Sequence, residues 1–89
     1  MLYTFSQAHY EQEEFNALWA MLTPNDAVVF WQDGVLWAAK IPGVLEMAQT
    51  CVYALENDLL ARGLNLALSR ITLDELVELT ETHFPQVAL

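Results

Sequence analysis

The sequence predicts a single α/β domain in which a mostly parallel sheet of four or five strands lies between two layers of helices. Two short runs, at residues 27–31 and 51–55, lack charged residues and are apolar almost throughout, as expected of strands covered on both faces. Helical periodicity separates such runs, and strands that alternate with helices favour right-handed crossovers and a parallel sheet. The 89 residues, 55% of them hydrophobic, suffice for one core and predict one domain over residues 1–89.

The first third of the chain predicts two strands that flank one helix. Residues 2–5 are a short apolar run, interpreted as the first strand, and residues 6–10 are polar and loop-like. Within residues 11–22 the apolar side chains recur at i, i+3, i+4 and i+7, which predicts a helix with one apolar face. These side chains are Phe15, Leu18, Trp19 and Leu22. Residues 27–31 then form the second strand.

The middle of the chain is the least regular part. Asp33 and Gly34 form a turn signal at the end of the second strand, and the Asp33 side chain is expected to cap backbone amides there. The alternative is a ligand-binding or catalytic role, because α/β folds place such groups at the carboxyl edge of the sheet. Residues 35–39 fit a short strand or a helical turn, and residues 44–49 fit a helix. Residues 51–55 repeat the buried-strand pattern and lead into a short helix that Gly63 could close.

The C-terminal part predicts a short final strand and a helix. The strand is assigned to residues 70–72. Thr72 and Glu75 have the spacing of a capping box, which marks the start of a helix. We expect that helix to continue to His83 and to end before Pro85.

The charge balance restricts the possible partners. Twelve acidic residues stand against three basic ones, a formal net charge of −9. Nucleic acid is held chiefly by Lys and Arg, and anionic membrane surfaces also attract basic segments, so we expect direct binding to neither. We also expect a cytoplasmic protein, because no apolar run approaches the ~20 residues of a membrane span and the N-terminus lacks the order of a signal peptide. The high apolar content predicts a surface that a partner covers.

Three stretches resemble the TusB/DsrH family of small subunits in sulfur-relay complexes. They are residues 1–5, the run 27–31 with the Gln32-Asp33-Gly34-Val35 sequence that ends it, and residues 52–64. The resemblance implies a three-layer, flavodoxin-like sheet of the DsrE/DsrF/DsrH type, and it marks Gln32, Asp33 and Gly34 as a signature without a catalytic role. It further implies a heterohexamer with TusC-like and TusD-like subunits. A cysteine of the TusD-like subunit would accept persulfide sulfur for 2-thiolation of the wobble uridine in tRNA.

Cys51 is the single cysteine and the one candidate for a sulfur carrier. A thiolate can hold sulfur as a persulfide and pass it to another thiol. Because Cys51 begins an apolar strand without a base nearby in sequence, we predict an inert core residue. The resemblance implies that a sulfur-transfer cysteine would lie on the first helix, at Leu18, so the chain is similar to the non-catalytic TusB branch.

Three other functions remain open at this point. One is a persulfide carrier that uses Cys51, and another is a DsrH-like subunit of a sulfur-oxidation complex. A stand-alone ligand-binding domain or homodimer is a further alternative. No glycine-rich phosphate loop or clustered metal ligands occur in the sequence, so no cofactor or metal is predicted.

The remaining candidate residues concern pairing and interfaces. Asp58 and Arg62 stand four residues apart, the spacing of an exposed helical ion pair. Arg62 could equally pair with an acidic partner, because the forked guanidinium suits interface contacts. Trp37 is the best candidate for an interface anchor, whereas Trp19 and Trp31 are expected in the core.

Overall fold

The computed structural model describes residues 1–41, 43, 50–83 and 85–89 of the chain. The strands are β1 (Leu2–Phe5), β2 (Ala27–Phe30), β3 (Cys51–Leu55), β4 (Ser69–Ile71) and β5 (Gln86–Ala88). The helices are α1 (Gln12–Ala20), α2 (Gly34–Lys40), α3 (Glu56–Ala61) and α4 (Leu73–Thr82). The helix predicted at residues 44–49 lies outside the described residues. No helix within these ranges is long and apolar enough to cross a bilayer.

The five strands form one parallel sheet in the order β4-β3-β2-β1-β5. The first four strands follow one another in one direction, and the chain then crosses the whole sheet to place β5 beside β1. Because parallel crossovers are right-handed, this reversal puts α4 on the face opposite α1, α2 and α3. The predicted three-layer α/β class is therefore confirmed.

The face under α1, α2 and α3 carries the larger, aromatic core. Phe5 and Phe30 stack across β1 and β2 with ring centroids 5.2 Å apart, and Phe15 of α1 packs edge-on against Trp37 of α2 at 5.5 Å. Trp37 is only 4% exposed, so it is part of this core and the prediction of an interface anchor is wrong. The ambiguous segment 35–39 is helical, and the helix turns Trp37 inward.

The opposite face is covered by α4. Leu76 of α4 belongs to one buried cluster with Leu2, Val29, Leu55 and Ile71, which alternate with the residues that face the aromatic core. The capping box is present: Glu75 N donates to Thr72 Oγ1 at 3.2 Å, and Thr72 N donates to Glu75 Oε1 at 3.1 Å. The helix ends at Thr82, with His83 as its C-cap, close to the predicted boundary.

Strand β5 has no counterpart in the sequence prediction, which placed the final strand at residues 70–72. It has three residues, lies at a sheet edge and is largely exposed. Backbone hydrogen bonds to its flanks hold it beside β1: Leu2 N donates to Pro85 O at 3.0 Å, and Leu89 N donates to Thr4 O at 2.8 Å. Its existence depends on pairing with β1 rather than on a local pattern.

Candidate functional site

Most of the residues singled out in the sequence meet at the carboxyl edge of β2 and β3. These strands are neighbours and parallel, so the segments that follow them lie side by side. The segment after β2 leads into α2, and α3 follows β3 directly. We call the group the carboxyl-edge cluster, and its members are Gln32, Asp33, Gly34, Asp58, Arg62 and Gly63.

Arg62 lies at the centre of the carboxyl-edge cluster. Its Nη2 is 2.8 Å from Asp33 Oδ1, and its Nη1 is 3.4 Å from Asp58 Oδ1. Nη1 also donates to the Asp58 carbonyl at 3.2 Å. The hydrogen bond with Asp33 raises the pKa of Arg62, and the charges of both carboxylates add to this effect against partial desolvation. The predicted pair with Asp58 is therefore present, and both acidic partners of Arg62 belong to its own chain.

Gln32 adopts a left-handed backbone conformation, with φ of 52°. A residue with a Cβ pays roughly 1–2 kcal/mol for this conformation. Gln32 N donates to Asp58 Oδ2 at 2.7 Å, a charge-assisted bond that helps to hold the turn. Asp58 thus links the end of β2 to α3, a role that its spacing from Arg62 did not indicate.

Gly34 was predicted as part of a turn, but the structure requires glycine there because the backbone of β1 lies close to it. It is the first residue of α2, and a Cβ placed on it would lie 1.8 Å from the Phe5 carbonyl oxygen. The expectation that Asp33 caps backbone amides is wrong, because its side chain makes no capping hydrogen bond. The Asp33 carboxylate is turned towards Arg62 instead.

Gly63 closes α3 as predicted. Its φ is +63°, Gly63 N donates to Leu60 O at 3.2 Å, and Leu64 N donates to Leu59 O at 2.9 Å. These two bonds form a Schellman motif, for which glycine in the left-handed region is favoured. Leu64 then packs against the aromatic core.

Cys51 is exposed, which overturns the prediction of a buried core residue. Burial along β3 increases from an exposed first residue to buried Ala54 and Leu55. Cys51 lies at the amino end of the strand, away from the carboxyl-edge cluster. The apolar run therefore begins before the part of the strand that α4 covers. An uninterrupted apolar sequence does not show which of its residues a helix covers in the folded protein.

A groove between α4 and the sheet was not predicted. We call it the α4 groove; it encloses about 230 Å³ and is lined by Tyr53, Ile71, Glu75, Glu78, Leu79 and Thr82. Burial raises the pKa of the Tyr53 hydroxyl, and its hydrogen bond and charge interaction with Cys51 and the charge of Glu75 raise it further.

A second, smaller pocket of about 140 Å³ lies beside α1. Leu18 lines it together with Phe5, Phe15, Glu11 and Glu14. This pocket offers no thiol at the position where the resemblance implied a sulfur-transfer cysteine. In the described ranges, no three His, Cys, Asp or Glu side chains come together in a way that would hold a metal ion.

These features define a small parallel-sheet α/β protein whose polar edge is bonded within the chain. The sequence profile described as DsrH like protein matches residues 7–86, and the chain belongs to the DsrH family. An uncharacterised protein of Haemophilus influenzae is 41% identical over 95 residues and covers the whole of both chains. Proteins named TusB from Cronobacter sakazakii and Photorhabdus laumondii are 35% and 36% identical, each over 99% of both chains.

A solved structure has the same fold. The solution NMR structure of protein Tm0979 from Thermotoga maritima superposes with a TM-score of 0.66 at 27% sequence identity. The match covers 93% of this chain and 94% of that one.

Proposed function

We propose that this chain is a non-catalytic subunit of a cytoplasmic, TusBCD-like sulfur-relay complex that supports 2-thiolation of wobble uridine in tRNA. The observation that carries the proposal is the similarity to proteins named TusB over nearly the full length of both chains. Its partners would be TusC-like and TusD-like subunits in a heterohexamer.

The chemistry of the chain supports a non-catalytic role. Leu18 occupies the position on α1 at which the resemblance implies a transfer cysteine, and it lines a pocket without a thiol. The polar groups of the carboxyl-edge cluster bond to one another, as in a structural tie between loops. With a net charge of −9, the subunit would leave contact with tRNA to other components.

Native mass spectrometry tests the assembly. The tagged chain would be purified from its source cells at low salt and measured intact. We expect two copies each of this chain and of two small partners. A monomer or a homodimer would contradict the proposed assembly.

A deletion strain tests the pathway. Loss of this chain should lower the 2-thiouridine content of tRNA hydrolysates, and the wild-type chain should restore it. Unchanged 2-thiouridine with impaired growth on reduced sulfur compounds would instead favour a DsrH-like subunit of a sulfur-oxidation complex.

The exposure of Cys51 favours a second candidate, a persulfide carrier. The Cys51 thiolate would attack the terminal sulfur of a donor persulfide, and the donor would leave as a thiolate. Intact mass measurement should then show an added sulfur atom that mild reduction removes. If Cys51→Ser restores 2-thiouridine as well as the wild-type chain does, the carrier function is excluded.

A further inference from the structure

We propose that the α4 groove binds an arginine side chain of a partner protein. This inference rests on the proposed function in one respect, namely that the partner is another subunit of the relay complex. It concerns the face of the sheet under α4 and does not involve sulfur transfer.

The walls and rim of the α4 groove match the two parts of an arginine side chain. Tyr53, Ile71 and Leu79 present apolar surface, which can cover the methylene stem of a long cationic side chain. Glu75 and Glu78 line the same groove, and carboxylates accept two parallel hydrogen bonds from a planar guanidinium. A volume of about 230 Å³ leaves room for such a side chain.

The electrostatics of the α4 groove favour a cation. Both of its charged residues are acids, and none of the described residues that line it is a base. Tyr53 also lines the groove, and an aromatic ring attracts a guanidinium that lies over its face. Glu75 retains its backbone bond to Thr72, which fixes one carboxylate before the ligand arrives.

A second copy of this chain is a poor source of that arginine. The chain contains only three basic residues against twelve acids, and the guanidinium of Arg62 is already paired with two carboxylates of its own chain. Lys40 bonds to the Ala8 carbonyl, Arg62 bonds to Asp33, and Arg70 bonds to Asn65. Two copies at −9 each also repel one another. Nucleic acid, which is anionic, is disfavoured for the same reason.

The test uses the full chain and a defined probe. N-acetyl-arginine-N-methylamide is titrated into the isotope-labelled chain, and backbone amide shifts are followed by NMR. The matched probe is the citrulline analogue, which keeps the shape and removes the charge. We expect the arginine probe alone to shift the amides of Tyr53, Ile71 and Leu79 in a saturable manner.

Two variants of equal charge localise the binding. Glu78→Gln should weaken binding of the arginine probe about threefold to fivefold, whereas Glu81→Gln, on the same helix but outside the groove, should leave it unchanged. Equal shifts with both probes, or equal loss in both variants, would overturn the proposal. Shifts that follow protein concentration without any probe would assign the groove to a second copy and would also overturn it.

This experiment and the test of the proposed function fail separately. If the chain is recovered with two partners but shows no arginine-specific shifts, only the proposal for the α4 groove is contradicted. If the chain binds the arginine probe but is recovered as a monomer, the proposed function as a relay subunit is contradicted.

Discussion

Asp33 Oδ1 lies 2.8 Å from Arg62 Nη2, and this contact ties the start of α2 to the end of α3. The two residues are 29 positions apart in the chain, so the pair exists because β2 and β3 are neighbours in the sheet. Asp58 shares the same guanidinium and also binds the backbone of Gln32. The Gln32-Asp33-Gly34 segment is thus joined to α3 both by Arg62 and by Asp58.

The coupling between Asp33 and Arg62 is measurable. A double-mutant cycle of Asp33→Asn and Arg62→Gln should give a favourable interaction energy by urea unfolding. Because Asp33 is exposed, salt should weaken the coupling, and it should nearly vanish at about 1 M. The pair Asp74 and Arg62 provides the control cycle, since the two are not in contact. A coupling that does not change with salt would contradict an exposed ion pair.

Gly34→Ala should strongly destabilise the protein. Its Cβ would meet the Phe5 carbonyl, which is backbone and cannot move without shifting β1, so we expect a loss of about 3 kcal/mol or more. Gly63→Ala should cost only about 1 kcal/mol, because its strain arises from the positive φ alone. Urea unfolding measures both.

Asparagine distinguishes the two glycine effects, because it tolerates the left-handed region better than alanine does. Gly63→Asn should therefore recover part of the stability that Gly63→Ala loses, while Gly34→Asn should be no better than Gly34→Ala. Equal stability of Gly34→Ala and the wild-type chain would contradict the close approach to Phe5.

Asp26 should contribute stability that is lost in acid. The backbone N–H of Thr23 lowers the pKa of Asp26 below 3.8, the Met1 ammonium lowers it further, and partial desolvation opposes both. A depressed pKa means that the contribution is fully present above 3.8 and is lost as the pH falls through the pKa of the folded state. The difference in unfolding free energy between the wild-type chain and Asp26→Asn should therefore shrink from about pH 6 to about pH 2.

Glu13→Gln removes the same charge from α1 and serves as the control for Asp26→Asn. If the unfolding free energies of both variants depend on pH in the same way, general charge repulsion rather than the contacts of Asp26 explains the loss of stability in acid.

Cys51 should react with a thiol reagent in the folded state. It is exposed, so its labelling rate should be similar with and without urea. Ala54→Cys in a Cys51→Ser background is the matched control, because Ala54 lies on the same strand and is 0% exposed. The thiol introduced by that substitution should react only on unfolding. If Cys51 in the wild-type chain were protected to the same extent as the introduced thiol, the start of β3 would be covered in solution.

Local patterns predicted much of the fold because the forces behind them are local. The Thr72–Glu75 capping box and the Gly63 helix end depend on hydrogen bonds within a few residues. The run at β2 is buried on both faces because it is the central strand, and its composition alone indicated this. The Asp58–Arg62 pair likewise follows from helical spacing.

The candidate site was predicted as a set of residues but not as an arrangement. Sequence reasoning singled out Asp33 as a cap and Trp37 as an anchor, whereas Asp33 pairs with Arg62 and Trp37 is buried. Both outcomes depend on which elements become neighbours. The α4 groove gave no sequence signal, because its lining comes from β3, β4 and α4 together.

By itself, the sequence determined the alternation of strands and helices, the parallel α/β class and the acidic surface, since these follow from side-chain chemistry and short-range spacing. Only the tertiary structure decided the placement of β5 beside β1, the exposure of Cys51 and the partners of Asp33. The physical reason is that hydrogen bonding between strands and coverage of a sheet face depend on contacts between distant segments. A local sequence pattern does not indicate which distant segment makes these contacts.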